Sequence, residues 1–168
     1  MDACLAAVTY QWPWTRCMGQ FKFRQDASLA AALATLLQRV PGMRSAIDDA
    51  DWVLPLPLSD ERLAERGYNP SLLLARQLAP RGCRADLLLR LRHTPPQHTL
   101  PRAKRLNNVR GAFAVEPLAA ATLRGRRVVL LDDVMTTGAS VREAAATLRA
   151  AGADHITVVV FARTDEHR

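Results

Sequence analysis

The chain has 168 residues, 49% of them hydrophobic, and a formal net charge of +7, which suits one domain with a packed core. No stretch reaches the ~18 consecutive apolar residues of a membrane span, and the nearest candidate, 29–37, is short and Ala-rich. There is no basic region followed by an apolar run at the start, and Cys4, Cys17 and Cys83 are too few and too far apart for a disulfide framework or a C-x-x-C metal motif. A soluble, cytoplasmic protein without membrane insertion is expected.

Residues 1–25 read as an irregular N-terminal segment carrying Trp12-Pro13-Trp14 and Phe21-Lys22-Phe23, laid across the core. Asp26 or Ser28 then caps a helix running to about Val40, with Leu29, Leu33, Leu36 and Leu37 on one face. Pro41-Gly42 ends it. Residues 52–54 form a strand, followed by the turn Pro55-Leu56-Pro57-Leu58. Asn69-Pro70 reads as N-cap and first residue of a second helix, with Leu73, Leu74 and Leu78 toward its end. Residues 87–91 form a further strand.

The Pro-, Arg- and Asn-rich connection 92–112 has a length that in compact domains marks a functional or mobile loop. Beyond it come a strand at 127–131, a helix at 139–151 with Val141, Ala144, Ala145 and Leu148 on its inner face, a stop at Gly152, and a last strand at 156–161. Short apolar strands alternating with helices predict an α/β fold over 1–168, with a Rossmann-like parallel sheet flanked by helices. Ligands of such sheets bind beyond the carboxyl ends of the strands.

Residues 128–140, VVLLDDVMTTGAS, carry the chemistry. An apolar strand ends at the adjacent carboxylates Asp132 and Asp133. The turn Thr136-Thr137-Gly138-Ala139-Ser140 then opens a helix. The first N–H groups of a helix have no partner within it, and the helix dipole adds positive charge there, so an anion suits that end. Gly138 lets the backbone approach a ligand closely. The hydroxyls of Thr136, Thr137 and Ser140 add donors. Ionised Asp132 and Asp133 are acceptors suited to the 2′- and 3′-hydroxyls of a ribose. A phosphate cradle beside a diol clamp describes a ribose 5-phosphate site. No G-x-x-x-x-G-K-[ST] nucleotide loop is present there.

This run resembles the signature of the type I phosphoribosyltransferases, which bind 5-phosphoribosyl-1-pyrophosphate (PRPP). Three further stretches resemble the ComF/GntX family. They are Pro55-Leu56-Pro57-Leu58 with Arg62-Leu63 and Arg66-Gly67-Tyr68-Asn69; Thr94, Gln97, Leu100 and Arg105 with Asn108-Val109-Arg110-Gly111-Ala112-Phe113; and Phe21-Lys22-Phe23 with Leu29-Ala30. The resemblance covers about residues 10–163 and implies a type I phosphoribosyltransferase fold and, in several bacteria, a role in DNA uptake during natural competence. It departs in three places. Cys4 and Cys17 do not rebuild the four-cysteine zinc module with which family members often begin. Pro70 stands where Gln is common. Thr136 stands where purine-salvage relatives carry an Asp, which argues against 6-oxopurine salvage.

The resemblance also implies roles for residues. Asp132 and Asp133 would take Mg²⁺ and orient the ribose, and 136–140 would hold the 5-phosphate. Arg62 and Arg66 would meet the leaving pyrophosphate, or else form a surface pair at helical spacing. The 92–112 loop would close as a flexible lid, with Arg105 as its catalytic cation and an acceptor that the sequence does not name. Dimers are common for the fold, so a homodimer is a further expectation. Residues 81–127 carry eleven Arg or Lys against Asp86 and Glu116. That basic block either attracts pyrophosphate, PRPP, single-stranded DNA or competence machinery, or is a solvated face in a chain where 21 of 23 basic residues are Arg.

Overall fold

The computed structural model describes residues 1–23, 27–91 and 109–164. Strands β1 (Ala3–Thr9), β2 (Trp52–Pro55), β5 (Arg127–Met135) and β6 (His155–Arg163) form a parallel sheet in the order β1-β6-β5-β2. Strands β3 (Leu88–Arg90) and β4 (Phe113–Val115) form a separate antiparallel ribbon. Of the strand expected over 87–91, residues 88–90 form one, but outside the parallel sheet. Their apolar run packs on one face of the sheet instead of extending its edge.

Both faces of the sheet are covered. On one lie helices α1 (Trp14–Phe23), α2 (Leu29–Gln38) and α5 (Pro70–Leu78), which bury Met18, Phe21, Leu33, Leu37, Leu74 and Leu78 against Val129, Leu131, Val159 and Phe161. On the other, helix α6 (Ala139–Ala150) and the β3–β4 ribbon bury Val141, Ala144, Ala145, Leu148 and Phe113 against Val128, Leu130, Val158 and Val160. Each fully buried Leu or Phe contributes roughly 1.5–3 kcal/mol of transfer free energy. The alternation Val128/Leu130 against Val129/Leu131 is the two-residue period of a strand with both faces buried.

Of the N-terminal segment expected to be irregular, the described residues 1–23 hold a strand and a helix. Ala3–Thr9 is an edge strand whose register runs from Ala3↔Thr157 to Thr9↔Arg163, and Trp14–Phe23 is a helix. The strand went unrecognised because ACLAAVT is small-sided and only partly buried, so it shows little alternation. Two short helices, α3 (Met43–Asp48) and α4 (Asp60–Arg66), interrupt stretches read as loop. α4 carries no buried residue, so it has no apolar stripe to signal it. Strand β5 continues to Met135, so Asp132 and Asp133 lie within it and not past its end.

The predicted caps differ in outcome. Ser28 occupies the N-cap position of α2 in a helical backbone conformation, with no side-chain capping hydrogen bond, while Asp26 lies outside the described residues. Asn69 caps α5: its Oδ1 accepts from Ser71 N at 3.0 Å and Leu72 N at 3.4 Å, while Nδ2 donates to Leu56 O at 3.0 Å. One side chain therefore ties the loop after β2 to the start of α5. Asn69→Ala lowers stability by about 1–2 kcal/mol in urea unfolding, and Asn69→Ser, which keeps a capping oxygen, lowers it less.

Candidate functional site

Strands β2 and β5 are neighbours, yet the helices that follow them go to opposite faces. α5 covers one face and α6 the other, so a crevice opens above the carboxyl ends of the two strands. That is the topological switch point at which parallel α/β sheets bind ligands. Asp132 lies there on β5, one residue past Leu131, which pairs with Pro55 at the end of β2 and accepts from Leu56 N just beyond it at 2.8 Å.

The predicted phosphate loop closes one side of the crevice. Gly138 precedes α6 in the left-handed region, φ +69°, and is buried. A Cβ there would lie 2.9 Å from Arg142 Nη1. Ala139 N donates to Thr137 Oγ1 at 3.4 Å, and the Arg142 guanidinium donates to Thr137 O. The helical ladder begins with Arg142 N donating to Gly138 O, so the N–H groups of Ser140 and Val141 lie ahead of it. Thr164 Oγ1 donates to Thr136 O at 3.0 Å, bracing the loop from the end of β6. The turn is thus held in shape by its own glycine, its threonines, Arg142 and Thr164.

The two aspartates meet different partners. Asp132 is half-buried, and its Oδ1 accepts from Ser71 Oγ at 3.0 Å and from Asp133 N at 2.8 Å. The β5–β6 pairing passes from Asp132↔Val160 to Val134↔Ala162 across this local bond. Burial, then the charge of Asp133, pushes the Asp132 carboxyl up to about 7, against the lowering effect of Lys22, the Asp133 N–H and Ser71. Asp133 is 5% exposed, and its Oδ1 lies 3.0 Å from Lys22 Nζ.

Cations approach the crevice from two elements. Arg62 on α4 lies within electrostatic reach of Asp132 and Asp133. Burial, then the neighbouring Arg66, lowers its pKa. Arg90 on β3 is lowered by burial, then by Arg62, while the Asp132 charge raises it. Its guanidinium sits 5.3 Å from the Phe113 ring centroid. Arg66 instead stacks 5.1 Å over Phe23, and its buried Nε has no hydrogen-bond partner among the described residues. Arg62 and Arg66 therefore do not act as a matched surface pair.

Arg105, Arg102, Lys104, His93 and His98 lie outside the described residues. The described ends of that connection meet: Leu91 N donates to Ala112 O at 2.8 Å, and Gly111 N donates to Glu143 Oε1 at 2.6 Å on α6. The basic block is not one surface. Arg84 pairs with Asp86 and Arg126 with Asp51, each at 2.8 Å, and both stack on Trp52 at the amino end of β2, away from the crevice.

Lys22, Ser71, Arg90 and Arg142 were not singled out from the sequence as site residues. Lys22 carried a signal through the Phe21-Lys22-Phe23 element, and Arg90 one through the basic block 81–127. Chemically, the crevice combines a helix N-terminus, hydroxyl donors, two half-buried guanidinium groups and one carboxylate whose charge burial disfavours. Mg²⁺ needs one or two carboxylates beside substrate oxygens and waters. Asp132, whose ionised form gains from a cation, fits that donor set. Among the described residues no group of three or more His, Cys, Asp or Glu forms a metal cluster, and no helix is long and apolar enough to cross a membrane.

Comparison with known proteins agrees with this geometry. The family model described as "Phosphoribosyl transferase domain" matches residues 64–168. The DNA utilization protein YhgH of Salmonella typhimurium is 36% identical over 161 residues, 92% of this chain and 69% of that protein. Competence protein F of Haemophilus influenzae is 31% identical over 92% of this chain and 69% of its own length. Competence protein ComFC of Bacillus subtilis is 30% identical over 85% and 56%. A solved structure of the allosteric regulatory enzyme of purine biosynthesis superposes on 80% of this chain and 25% of its own, with TM-score 0.50 and 23% identity, and so shares the fold.

Gly138→Ala lowers stability by about 1–2 kcal/mol, because alanine pays the left-handed cost that glycine avoids, and it displaces Arg142 from Thr137. Chemical denaturation and the loss of the Arg142 contact in a crystal structure check this.

Proposed function

The chain belongs to the phosphoribosyl transferase domain family, and from that premise we propose that it binds PRPP with Mg²⁺ in the β2–β5 crevice and transfers the 5-phosphoribosyl group to an acceptor. The observation that carries this reading is the junction of β5 and α6, where a helix N-terminus with a glycine-opened, hydroxyl-lined turn stands beside a single crevice-facing carboxylate. A phosphorylated ribose accounts for both halves of that junction.

The N–H groups of Ser140 and Val141 and the hydroxyls of Thr136, Thr137 and Ser140 hold the 5-phosphate. Asp132 accepts from the ribose hydroxyls and offsets the positive charge that develops at C1 as its bond to pyrophosphate breaks and its bond to the acceptor forms. Arg62 and Arg90 receive the leaving pyrophosphate, each partly desolvated and therefore strongly attracted to an anion. Asp132 would hold Mg²⁺, which would supply further neutralisation of the pyrophosphate charge.

The names of the relatives, DNA utilization and competence proteins, support a setting in DNA uptake or use. A direct contact with single-stranded DNA finds less support. Arg84 and Arg126, two of the described basic residues, are committed to Asp86, Asp51 and Trp52. Any DNA affinity that does exist falls steeply with added salt if it is carried by phosphate contacts.

Calorimetric titration tests the reading. The unmodified chain binds PRPP in a Mg²⁺-dependent manner and binds ribose 5-phosphate more weakly. Asp132→Asn reduces PRPP affinity at least about tenfold, the loss of roughly 1.4 kcal/mol. Equal PRPP affinity in Asp132→Asn, or no PRPP binding by the unmodified chain, contradicts it.

A further inference from the structure

We propose that Lys22 and Asp133 form a fixed ion pair that withdraws Asp133 from ligand binding. The pair locks α1 to the end of β5 and leaves Asp132 as the only one of the two adjacent carboxylates to meet metal and ribose. The part concerning metal and ribose rests on the PRPP reading above.

The strand itself separates the two acids. Val129 and Leu131 face α1, α2 and α5, whereas Val128 and Leu130 face α6. Asp133 continues the first series and Asp132 the second. Asp133 is accordingly buried, and the ammonium that neutralises it, 3.0 Å away, comes from the last turn of α1. The side chains of the pair are only 14% and 7% exposed. The other oxygen, Asp133 Oδ2, is buried with no hydrogen-bond partner among the described residues. A metal keeping its usual waters has no room at that oxygen, and at Oδ1 it would displace Lys22.

The position of Lys22 is fixed from both sides. Phe21 is fully buried, and its carbonyl accepts from the Tyr68 hydroxyl. Phe23 lies under the Arg66 guanidinium at 5.1 Å. The three residues 21–23 therefore dock, one each, on Tyr68, Asp133 and Arg66. Lys22 also sits where the helix dipole favours a cation. Lys22 thus anchors the end of α1 to β5, while the Asp132 carboxylate is oriented separately by the Asp133 backbone N–H at 2.8 Å and the Ser71 hydroxyl at 3.0 Å.

The test compares the unmodified chain with Lys22→Met, Asp133→Asn, the neutral pair Lys22→Met/Asp133→Asn, and Asp132→Asn. Readouts are the urea midpoint, PRPP affinity at saturating Mg²⁺, and the Mg²⁺ concentration for half-maximal PRPP binding. Each single change at the pair lowers the midpoint, and the neutral pair recovers most of the loss. The neutral pair keeps PRPP affinity and Mg²⁺ half-saturation within about threefold, whereas Asp132→Asn loses at least about tenfold in PRPP affinity. Lys22→Met alone, if it folds, exposes a carboxylate stripped of its cation and shifts the Mg²⁺ half-saturation. A neutral pair that loses PRPP affinity as Asp132→Asn does overturns the proposal. If the unmodified chain binds no PRPP, the PRPP reading falls, and the pair is judged by the midpoints alone. Additive losses in the double variant then overturn the proposal, and recovery sustains it.

Discussion

The structure depends on one constraint: β2 and β5 lie side by side in a parallel sheet but send their following helices to opposite faces. Two helices diverging from adjacent strands leave a crevice that neither fills. The crevice is lined by strand ends and a helix N-terminus, which carry unsatisfied backbone groups. Asp132, Arg62, Arg90 and the turn before α6 are arranged around that gap. Asn69 fixes the start of α5 at one side, and Gly138 lets α6 begin abruptly at the other.

The electrostatics of the gap follow from its depth. Burying a carboxylate disfavours its charge, and burial, then the Asp133 charge, pushes the Asp132 carboxyl up to about 7. Burying arginines disfavours theirs, which strengthens their attraction for any anion that arrives. A ligand bearing phosphates, and a metal with it, relieves both penalties at once. Asp133 escapes the same conflict because Lys22 answers its charge within the fold. Breaking a buried pair by removing one partner costs about 3–5 kcal/mol, so the N-terminal helix belongs to the integrity of the site and is no appendage.

Much of this was legible in the sequence, where local signals were strong. The Asn69-Pro70 cap, the inner face of α6, Gly152 and the strand–turn–helix at 128–140 all carry short-range chemistry that a pattern reveals. β1 was missed because an edge strand of small side chains shows no alternation, and α4 because a short, charged helix buries nothing. The pairing of β3 with β4 joins residues on either side of a long connection, so no local pattern sets it. The same holds for Lys22 on Asp133 and for Arg90 near Asp132. Contacts between residues distant in sequence leave no period, and a charged side chain bound for the interior looks like one bound for solvent.

The claim at the centre is that a phosphate ligand sits at the β5–α6 junction within the crevice. Amide chemical-shift mapping with ribose 5-phosphate, and then with PRPP and Mg²⁺, tests it most directly. The account predicts the largest shifts at Asp133 and at Thr136 through Val141, with smaller ones at Ser71. Shifts concentrated elsewhere, such as the apolar cleft of about 370 Å³ bordered by Pro57, Leu63, Tyr68 and Leu73, or no shifts at millimolar ligand, would contradict it.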